Sequence, residues 1–309
     1  MNVIFTNSLT DKQLQDIKFL EALCNKADIL SLGLFTEPEL NEYPDMPCFF
    51  MIYDDENAGL LAFLSMFVPG DGTAEVSACT HPKHRQKGLF HTLYKKAREI
   101  ATEFDIDSMI FATSPTQQTA FNILTKYGAK LENTEYLLQY ENLGKYVTLS
   151  NPTIPHASGI TDDSIKSGNP YKLLPAAPDE LVIHTDIFAA AFGYPYEAAN
   201  EYIGDILSSG SDVKIFSFID TATGNTIGCC FTAISDMQVM PFGICIHPDF
   251  QGQKLGQYMM SLLLNNYLFQ YGKPILLQVS GSNENALHIY RKLGFKTASQ
   301  VDYFRIDVV

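Results

Sequence analysis

The sequence predicts a mixed α/β fold, in which a mostly antiparallel sheet is flanked by helices, and it predicts two tandem copies of that fold. Three observations support this prediction: an internal repeat, the same order of strand and helix patterns in each half, and a strand–loop–helix segment with glycines in each half. Strands that come first, followed by a strand–helix–strand–helix–strand order, indicate a mixed sheet with helices packed on it.

The repeat has a constant offset of 166 residues, the separation of His81-Pro82 from His247-Pro248. The same offset relates Gly128 to Gly294 and holds without an insertion over most of each half. A period this long indicates that a whole domain has been duplicated, because solenoid repeats are far shorter.

The length and composition fit two globular domains. The chain has 309 residues, of which 46% are hydrophobic and 18% are charged, and this is enough to bury a sizeable core. We predict an N-terminal domain over residues 1–142, a linker over 143–170 and a C-terminal domain over 171–309. The linker is assigned from its Pro, Gly, Asn and Ser pairs, which are typical of turns and loops.

Charge and cysteine content exclude several functions. The net charge of −14 argues against a nucleic-acid partner, which would require clustered basic residues. The six cysteines form no CxxC pair, so no metal site is predicted. No apolar stretch is long enough to span a membrane, and the N-terminus lacks a secretory pattern. We therefore expect a cytoplasmic protein with no membrane partner.

The N-terminal half shows a regular order of patterns. We predict helix 11–24, strands 48–53, 59–67 and 74–80, a helix after His81-Pro82, strand 108–112, helix 117–127 and strand 136–140. The helix after His81-Pro82 has apolar residues three or four positions apart, which is one face of an α-helix. These residues are Leu89, Leu93, Ala97, Ile100 and Phe104.

The C-terminal half repeats this order. We predict helix 178–192, strands 214–220, 226–234 and 239–247, helix 252–271, strand 274–279, helix 283–293 and strand 303–308.

The segment between strand 239–247 and the helix that follows it suggests an anion site. The first N–H groups of a helix have no partner inside the helix, and the helix dipole is positive at that end. Gly252 and Gly256 leave room for a pyrophosphate to approach the backbone, and Lys254 adds positive charge. A glycine-containing turn before an ordinary surface helix explains the same residues, so the segment alone leaves both interpretations open.

The corresponding segment of the N-terminal half is more basic. Lys83, Arg85 and Lys87 lie beside the start of the equivalent helix. A charge cluster is usually a solvated surface, but its recurrence at a helix start in both halves favours anion binding.

These segments resemble motif A of the GCN5-related N-acetyltransferases, in which Arg/Gln-x-x-Gly-x-Gly/Ala follows a strand and a proline. The C-terminal half has Gln251 and Gly256 at the matching positions, with Lys254 in place of the central glycine. The N-terminal half has Arg85 and Gly88, with Phe90 in place of the last small residue.

A second motif of that family, Asn-x-x-Ala-x-x-x-Tyr followed by Gly-Phe, has its counterpart at Asn283, Ala286, Tyr290 and Gly294-Phe295. The resemblance covers nearly the whole chain as two tandem acyl-CoA N-acyltransferase domains. It implies direct transfer of an acetyl or other acyl group from acetyl-CoA to an amine, without a metal and without a covalent enzyme intermediate. The expected partner is a small-molecule or peptide amine, and the expected assembly is a monomer or homodimer.

The resemblance also implies which residues bind the acyl-CoA. In the C-terminal half they are Ile244, Cys245, Ile246, Gln251, Gly252, Gln253, Lys254, Leu255, Gly256 and Asn283. In the N-terminal half they are Arg85, Gln86, Lys87, Gly88 and Leu89. The backbone N–H of Ile246 is the expected donor to the thioester oxygen.

Tyr290 matches the family position of the general acid, which protonates the departing thiolate. Its counterpart in the repeat is Leu124, which cannot donate a proton. We therefore expect the C-terminal half to carry out the chemistry. A buried aromatic residue packed on the sheet is the alternative role for Tyr290.

The general base stays open. Glu75 lies on the strand before motif A in the N-terminal half, where the C-terminal half has Pro241. Asp236 and His247 are alternatives in the C-terminal half, although a histidine beside a proline is more often structural.

Three other interpretations remain at this stage: a non-catalytic acyl-CoA sensor or scaffold, catalysis in the N-terminal half with Glu75, and transfer of a longer acyl group or to a different acceptor. Tyr194, Tyr196 and Tyr202 either line an acceptor pocket or belong to a loop packed on the core.

Overall fold

The computed structural model describes residues 1–28, 33–55, 59–141, 170–177, 180–209 and 212–308. The chain forms two compact units. Unit 1 comprises Met1–Thr134 and Gln300–Val309, and unit 2 comprises Glu135–Ser299. Of the predicted linker, residues 143–169 lie outside the described residues.

The first half of the chain contains six strands and three α-helices within the described residues. In order they are β1 (Asn2–Thr6), α1 (Asp11–Asp28), β2 (Phe49–Tyr53), β3 (Leu60–Phe67), β4 (Thr73–Thr80), α2 (Leu89–Glu103), β5 (Ser108–Thr113), α3 (Gln118–Lys126) and β6 (Lys130–Tyr140).

The second half contains six strands and four α-helices within the same described part. In order they are β7 (Tyr171–Pro175), α4 (Leu181–Phe192), α5 (Tyr196–Ser208), β8 (Asp212–Asp220), β9 (Thr226–Ile234), β10 (Val239–Ile246), α6 (Leu255–Leu263), β11 (Leu276–Ser280), α7 (Glu284–Leu293) and β12 (Phe295–Asp307).

The sheet of unit 1 is mixed, as predicted. Strands β1 to β4 pair in sequence order and antiparallel, and β4 pairs parallel with β5. The far side of β5 pairs antiparallel with the second half of β12, from Asp302 opposite Thr113 to Asp307 opposite Ser108. Unit 1 is therefore completed by a strand from the end of the chain.

Unit 2 has the corresponding arrangement. Strands β7 to β10 form an antiparallel sheet in sequence order, and β10 and β11 are joined by one parallel bridge between Val239 and Ile275. Strand β11 pairs antiparallel with the second half of β6, from Leu276 opposite Gln139 to Ser280 opposite Glu135. Unit 2 is therefore completed by a strand from the first half of the chain.

The predicted helix face of α2 is confirmed. Leu89, Leu93, Ala97 and Ile100 are all buried in the core of unit 1. Gly128 follows α3 with φ +79°, the left-handed conformation expected of a helix C-terminal glycine.

The prediction of one continuous helix over 252–271 is wrong. The α-helix ends at Leu263, a π-helical turn spans Leu264–Leu268, and a 3₁₀ turn spans Phe269–Tyr271. The buried leucines of this segment, Leu263, Leu264 and Leu268, explain the change, because a wider turn lets adjacent residues face the core together.

Strands β1 and β7 and helix α5 were not predicted from the sequence, and β6 and β12 are longer than predicted. The added part of β6, residues 130–135, is rich in polar and exposed side chains, so it lacks the apolar signal of a core strand. Tyr196 and Tyr202 lie on helix α5 rather than in a loop.

Within the part of the chain that the structure describes, no helix is long and apolar enough to cross a membrane. All six cysteines are free thiols, and five of them are buried.

Phe304 tests whether the stability of unit 1 depends on β12. Its ring is buried in the core of unit 1 and makes an edge contact with Phe121 at 5.8 Å. Phe304→Ala removes this burial and leaves a cavity, so we expect a loss of about 3–5 kcal/mol in the free energy of unfolding. Urea denaturation measures the change, and Thr297→Ala, at an exposed position of the same strand, is the matched control. A loss no larger than that of the control would show that the core of unit 1 does not need this strand.

Candidate active site

A β-bulge interrupts β10 at the centre of unit 2. Phe242 lies opposite Phe231 and Cys245 lies opposite Cys229, so two residues of β10 face the single residue Cys230. Such a bulge leaves one residue unpaired and bends the strand. Gly243 has φ +55°, and a Cβ there would lie 2.6 Å from Phe231 Cδ2. The bulge therefore depends on glycine, both for its backbone conformation and for the close approach of the ring.

The equivalent strand of unit 1 has no bulge. Strand β4 pairs with β3 without a register shift from Val76 to Thr80. It also pairs with β5 over four residues, from Thr73 to Val76, whereas β10 and β11 share one bridge. The two parallel strands therefore separate nearer to the start of β10 in unit 2 than to the start of β4 in unit 1.

The N–H of Ile246 points away from β9. His247 donates its backbone N–H to Ile227 O at 2.9 Å, and residue pairs in an antiparallel ladder alternate between bonded and non-bonded. The next pair, Ile246 and Gly228, is therefore non-bonded, and its N–H groups face outward. This leaves the Ile246 N–H free of the β9–β10 ladder.

The loop after each strand has the same backbone conformation in both units. Gly252 and Lys254 have φ +76° and +62°, and their counterparts Gln86 and Gly88 have φ +61° and +80°. Each loop thus places one glycine and one larger residue in the left-handed region, in opposite order. The departure of each half from the glycine pattern of motif A leaves the loop shape unchanged.

The motif residues Gln251 and Arg85 hold these loops in place through their side chains. Gln251 Nε2 donates to Ile246 O at 2.9 Å, and Arg85 Nε donates to Thr80 O at 3.2 Å. In both units the acceptor is the last residue of the strand before the loop. The two side chains thus fix the loop onto the strand.

Arg85 carries a further partner. Its guanidinium pairs with both carboxylate oxygens of Asp28, at 2.7 and 2.6 Å. One of the three charges that make the unit 1 loop more basic is thereby matched within unit 1. Leu89, like Leu255 in unit 2, is buried in the core, so these two residues present only backbone groups at the loop.

Gly256 lies close to the end of β10 and to helix α7. A Cβ there would lie 3.9 Å from Ile246 at the end of β10 and 4.0 Å from Ile289 on α7. The repeat places Phe90 at the equivalent position of unit 1, where its ring stacks on Tyr94 at 5.8 Å and meets Tyr127 at 6.1 Å. An aromatic ring thus occupies in unit 1 the position that a hydrogen atom occupies in unit 2.

Tyr290 lies on α7, one residue from Ile289. The side chain is 9% exposed, and its ring makes an edge contact with Phe295 at 5.9 Å. Burial, with smaller contributions from the Cys230 and Cys245 thiols, raises the pKa of Tyr290 to about 12. Within the described residues the hydroxyl makes no hydrogen bond. The phenol is therefore protonated at neutral pH, and its proton is not held by an acceptor among the described residues.

The side chains of Asn283 and His247, two other candidate site residues, accept hydrogen bonds from the backbone nearby. The Asn283 side chain accepts from Ala286 N at 3.0 Å and caps α7. His247 Nδ1 accepts from Asp249 N at 3.3 Å, and His81 accepts from Lys83 N in the same way at 3.2 Å. The repeated cap favours a structural role for His247 over that of a base.

The two carboxylates proposed as bases are both exposed to solvent. Glu75 is exposed on β4 of unit 1, and Asp236 is exposed in the turn before β10 of unit 2. Across the described ranges no group of three or more His, Cys, Asp or Glu side chains is arranged to hold a metal ion.

The bulge of β10 was not predicted, although the sequence contains a signal for it. A single glycine within an apolar strand, such as Gly243, often marks a bulge or the close approach of another group. Phe188, which lies 3.3 Å from the Cβ position of Gly243, was not predicted either.

A mixed sheet with a parallel strand pair and a helix that begins at a pyrophosphate-type loop, present twice, defines the class of acyl-CoA-dependent N-acyltransferases. Residues 214–297 match the family model described as acetyltransferase (GNAT) domain, and residues 18–129 match the one described as acetyltransferase (GNAT) family. The matches together cover more than half of the chain, which belongs to the GNAT family and is an N-acetyltransferase.

A known relative supports this assignment. The chain is 23% identical to the mycothiol acetyltransferase of Saccharomonospora viridis over 256 residues, which cover 78% of this chain and 77% of that protein.

Two solved structures share the tandem fold. A GCN5-related N-acetyltransferase from Sphaerobacter thermophilus has a TM-score of 0.71 at 14% identity, with 99% of this chain and 96% of that chain covered. A tandem GNAT protein from the clavulanic acid biosynthesis pathway has a TM-score of 0.65 at 14% identity, with 100% and 99% covered. At this identity the likeness shows the fold.

Gly243→Ala tests whether the bulge depends on glycine. The added Cβ would meet the Phe231 ring at 2.6 Å, so we expect unit 2 to lose about 1–3 kcal/mol of unfolding free energy. Denaturant unfolding measures this. Gly204→Ala is the matched control, because Gly204 lies within α5 with nothing within 4 Å of its Cβ position; we expect that variant to be unchanged or more stable by up to about 1 kcal/mol. Equal stability of the two variants would show that the bulge does not require glycine at position 243.

Proposed function

We propose that unit 2 catalyses the transfer of an acetyl group from acetyl-CoA to an amine and that unit 1 has a supporting role. The observation that carries this proposal is the bulge of β10, which is absent from β4 of unit 1. The bulge and the short pairing with β11 open one edge of β10, and an open edge is what a thioester needs to reach backbone N–H groups.

The loop before α6 would hold the pyrophosphate of acetyl-CoA. The first-turn N–H groups of α6, from Leu255 to Gln257, have no acceptor in the preceding turn, and the helix dipole adds positive potential. Lys254 contributes a side-chain charge beside them. The open position at Gly256 leaves room for the pyrophosphate, whereas the Phe90 ring fills the equivalent position of unit 1.

Acetyl-CoA supplies the acyl carbon and a thiolate leaving group. The outward-facing N–H of Ile246 would donate to the carbonyl oxygen, on which negative charge develops as the amine attacks. The unpaired residues at the bulge, Gly243 and Ile244, lie on the same strand. Backbone donors fixed by the sheet need no rearrangement during the reaction, and this favours stabilisation of the transition state.

Tyr290 would protonate the thiolate. Its pKa of about 12 keeps it protonated at neutral pH, and its hydroxyl has no internal acceptor to compete for the proton. The equivalent residue of unit 1 is Leu124, which is buried and has no proton to give. This contrast supports the assignment of the chemistry to unit 2.

We assign no protein base. The strand position that holds Glu75 in unit 1 holds Pro241 in unit 2, and His247 caps the loop. The amine would therefore lose its proton to solvent water before attack. The rate at low amine concentration should rise with pH until the amine itself is unprotonated.

Tyr290→Phe tests the acid. The variant keeps the ring contact with Phe295 and loses the hydroxyl, so we expect kcat to fall about 100-fold or more. Because the pKa of Tyr290 is raised to about 12, deprotonation of this acid should cause no fall in the wild-type rate up to about pH 10. Release of free CoA thiol, followed as a function of pH with saturating acetyl-CoA, measures both effects.

Tyr127→Phe in unit 1 is the control for this variant and should retain the wild-type rate. Full turnover by Tyr290→Phe, together with loss of activity in Glu75→Gln, would move the chemistry to unit 1.

Gly256→Phe tests the donor site by giving unit 2 the residue found in unit 1. We expect this variant to lose acetyl-CoA binding, because the ring would fill the position between Ile246 and Ile289. The reciprocal Phe90→Gly should leave wild-type affinity unchanged. Calorimetric titration with acetyl-CoA measures binding, and circular dichroism checks that each variant is folded. Unchanged affinity in folded Gly256→Phe would contradict the proposed donor site.

A further inference from the structure

Four aromatic residues form a group on α4, α5 and the connection between these helices, and three of them are exposed to solvent. Phe188 is buried, and its ring centre lies 4.5 Å from Phe192, 6.1 Å from Tyr194 and 5.5 Å from Tyr202. The other three side chains are 44%, 55% and 49% exposed. We call these four residues the aromatic shell. Each of the three exposed rings contacts the Phe188 ring, and a patch of exposed aromatic side chains such as this one marks a binding site.

The aromatic shell borders the β10 bulge. The Cβ position of Gly243 lies 3.3 Å from Phe188 Cε2, and the Phe188 ring meets the Phe231 ring edge-on at 6.1 Å. Phe231 stacks in turn with Phe242, the residue before Gly243, at 5.5 Å. The shell therefore extends from the bulge outward to solvent.

The same two helices carry only negative charge. Residues 181–208 contain no Lys or Arg, and their four carboxylates are all exposed; these are Asp186, Glu197, Glu201 and Asp205. None of the four pairs with a cation within the described residues. Asp205 lies three positions after Tyr202 on α5, so the two side chains are neighbours on one face of the helix.

We propose that the aromatic shell and these carboxylates bind the acceptor, and that the acceptor is a primary amine on an apolar body, captured in its ammonium form. This inference rests on the proposed function of unit 2. An ammonium group is attracted to the faces of tyrosine rings and to carboxylates, and the apolar body would cover the exposed rings. An acceptor with its own carboxylate or phosphate would be repelled by the acidic helices.

The chemistry balances with one proton released. The bound ammonium gives one proton to water, and the resulting amine nitrogen forms a bond to the acyl carbon while the carbon–sulfur bond breaks. The thiolate takes the proton of Tyr290, and the second proton of the amine goes to solvent as Tyr290 is reprotonated. The products are a neutral amide, CoA thiol and one proton. Loss of the cation weakens the contact with the shell and favours release of the product.

The first test measures binding without turnover. Benzyltrimethylammonium cannot be acetylated, and we expect it to bind the wild type and Tyr202→Phe equally and Tyr202→Ala about tenfold more weakly. Asp205→Asn keeps the shape of the surface, and we expect it to weaken binding several-fold at low salt. Phe19→Ala, which removes a 68% exposed ring of unit 1, is the control and should bind as the wild type does. Chemical-shift titration measures each dissociation constant.

The second test measures turnover with a matched pair of amines, phenethylamine and phenylalanine, which differ by one carboxylate. We expect kcat/KM to be at least about tenfold higher for phenethylamine, and we expect Tyr202→Ala to raise KM more than it lowers kcat. Failure of the wild type to bind the ammonium probe, equal binding by Tyr202→Ala, or equal use of both amines would overturn the proposal. Binding of the probe without acetylation of phenethylamine would instead support the aromatic shell as an ammonium-binding site and contradict the proposed function.

Discussion

Each unit depends on the pairing of one strand with a distant part of the chain: β5 pairs with β12, and β11 pairs with β6. Both strands lie beside a parallel neighbour and would expose unpaired N–H and C=O groups on their other side. In unit 1 the missing partner is residues 302–307, and in unit 2 it is residues 135–139. Each unit therefore obtains a strand from the distant half of the sequence. The strand from residue 302 also brings Phe304, Ile306 and Val308 into the core of unit 1.

On this common scaffold, a few local differences separate the two units. The loop before α2 and the loop before α6 have the same left-handed positions and the same side-chain anchor, so the loop shape is a property of the shared fold. The bulge at Gly243, the open position at Gly256 and the hydroxyl of Tyr290 occur in unit 2 alone among these equivalent positions. The two units therefore share the loop that belongs to the fold and differ at the positions to which we assign the chemistry in our proposal.

Much of the candidate site could be proposed from the sequence, because its elements are local. The loop needs a strand end, a helix start and small residues in succession, and this pattern identified Gln251 to Gly256. The roles of individual side chains were less accessible. Arg85 looks like a free cation in the sequence, and the structure pairs it with Asp28, 57 residues earlier. Asn283 and His247 look like site residues, and in the structure their side chains cap turns and helix starts.

The sequence by itself determined the fold class, the duplication and the order of most elements, because periodic burial and turn residues act over a few neighbouring positions. Tertiary structure alone decided which strand completes each sheet, since pairing between residues 108–113 and 302–307 leaves no local pattern. It also decided that Phe192, Tyr194 and Tyr202 gather around Phe188 beside the bulge. The physical reason is that backbone pairing and ring contacts depend on distances between segments far apart in the chain, which periodicity does not encode.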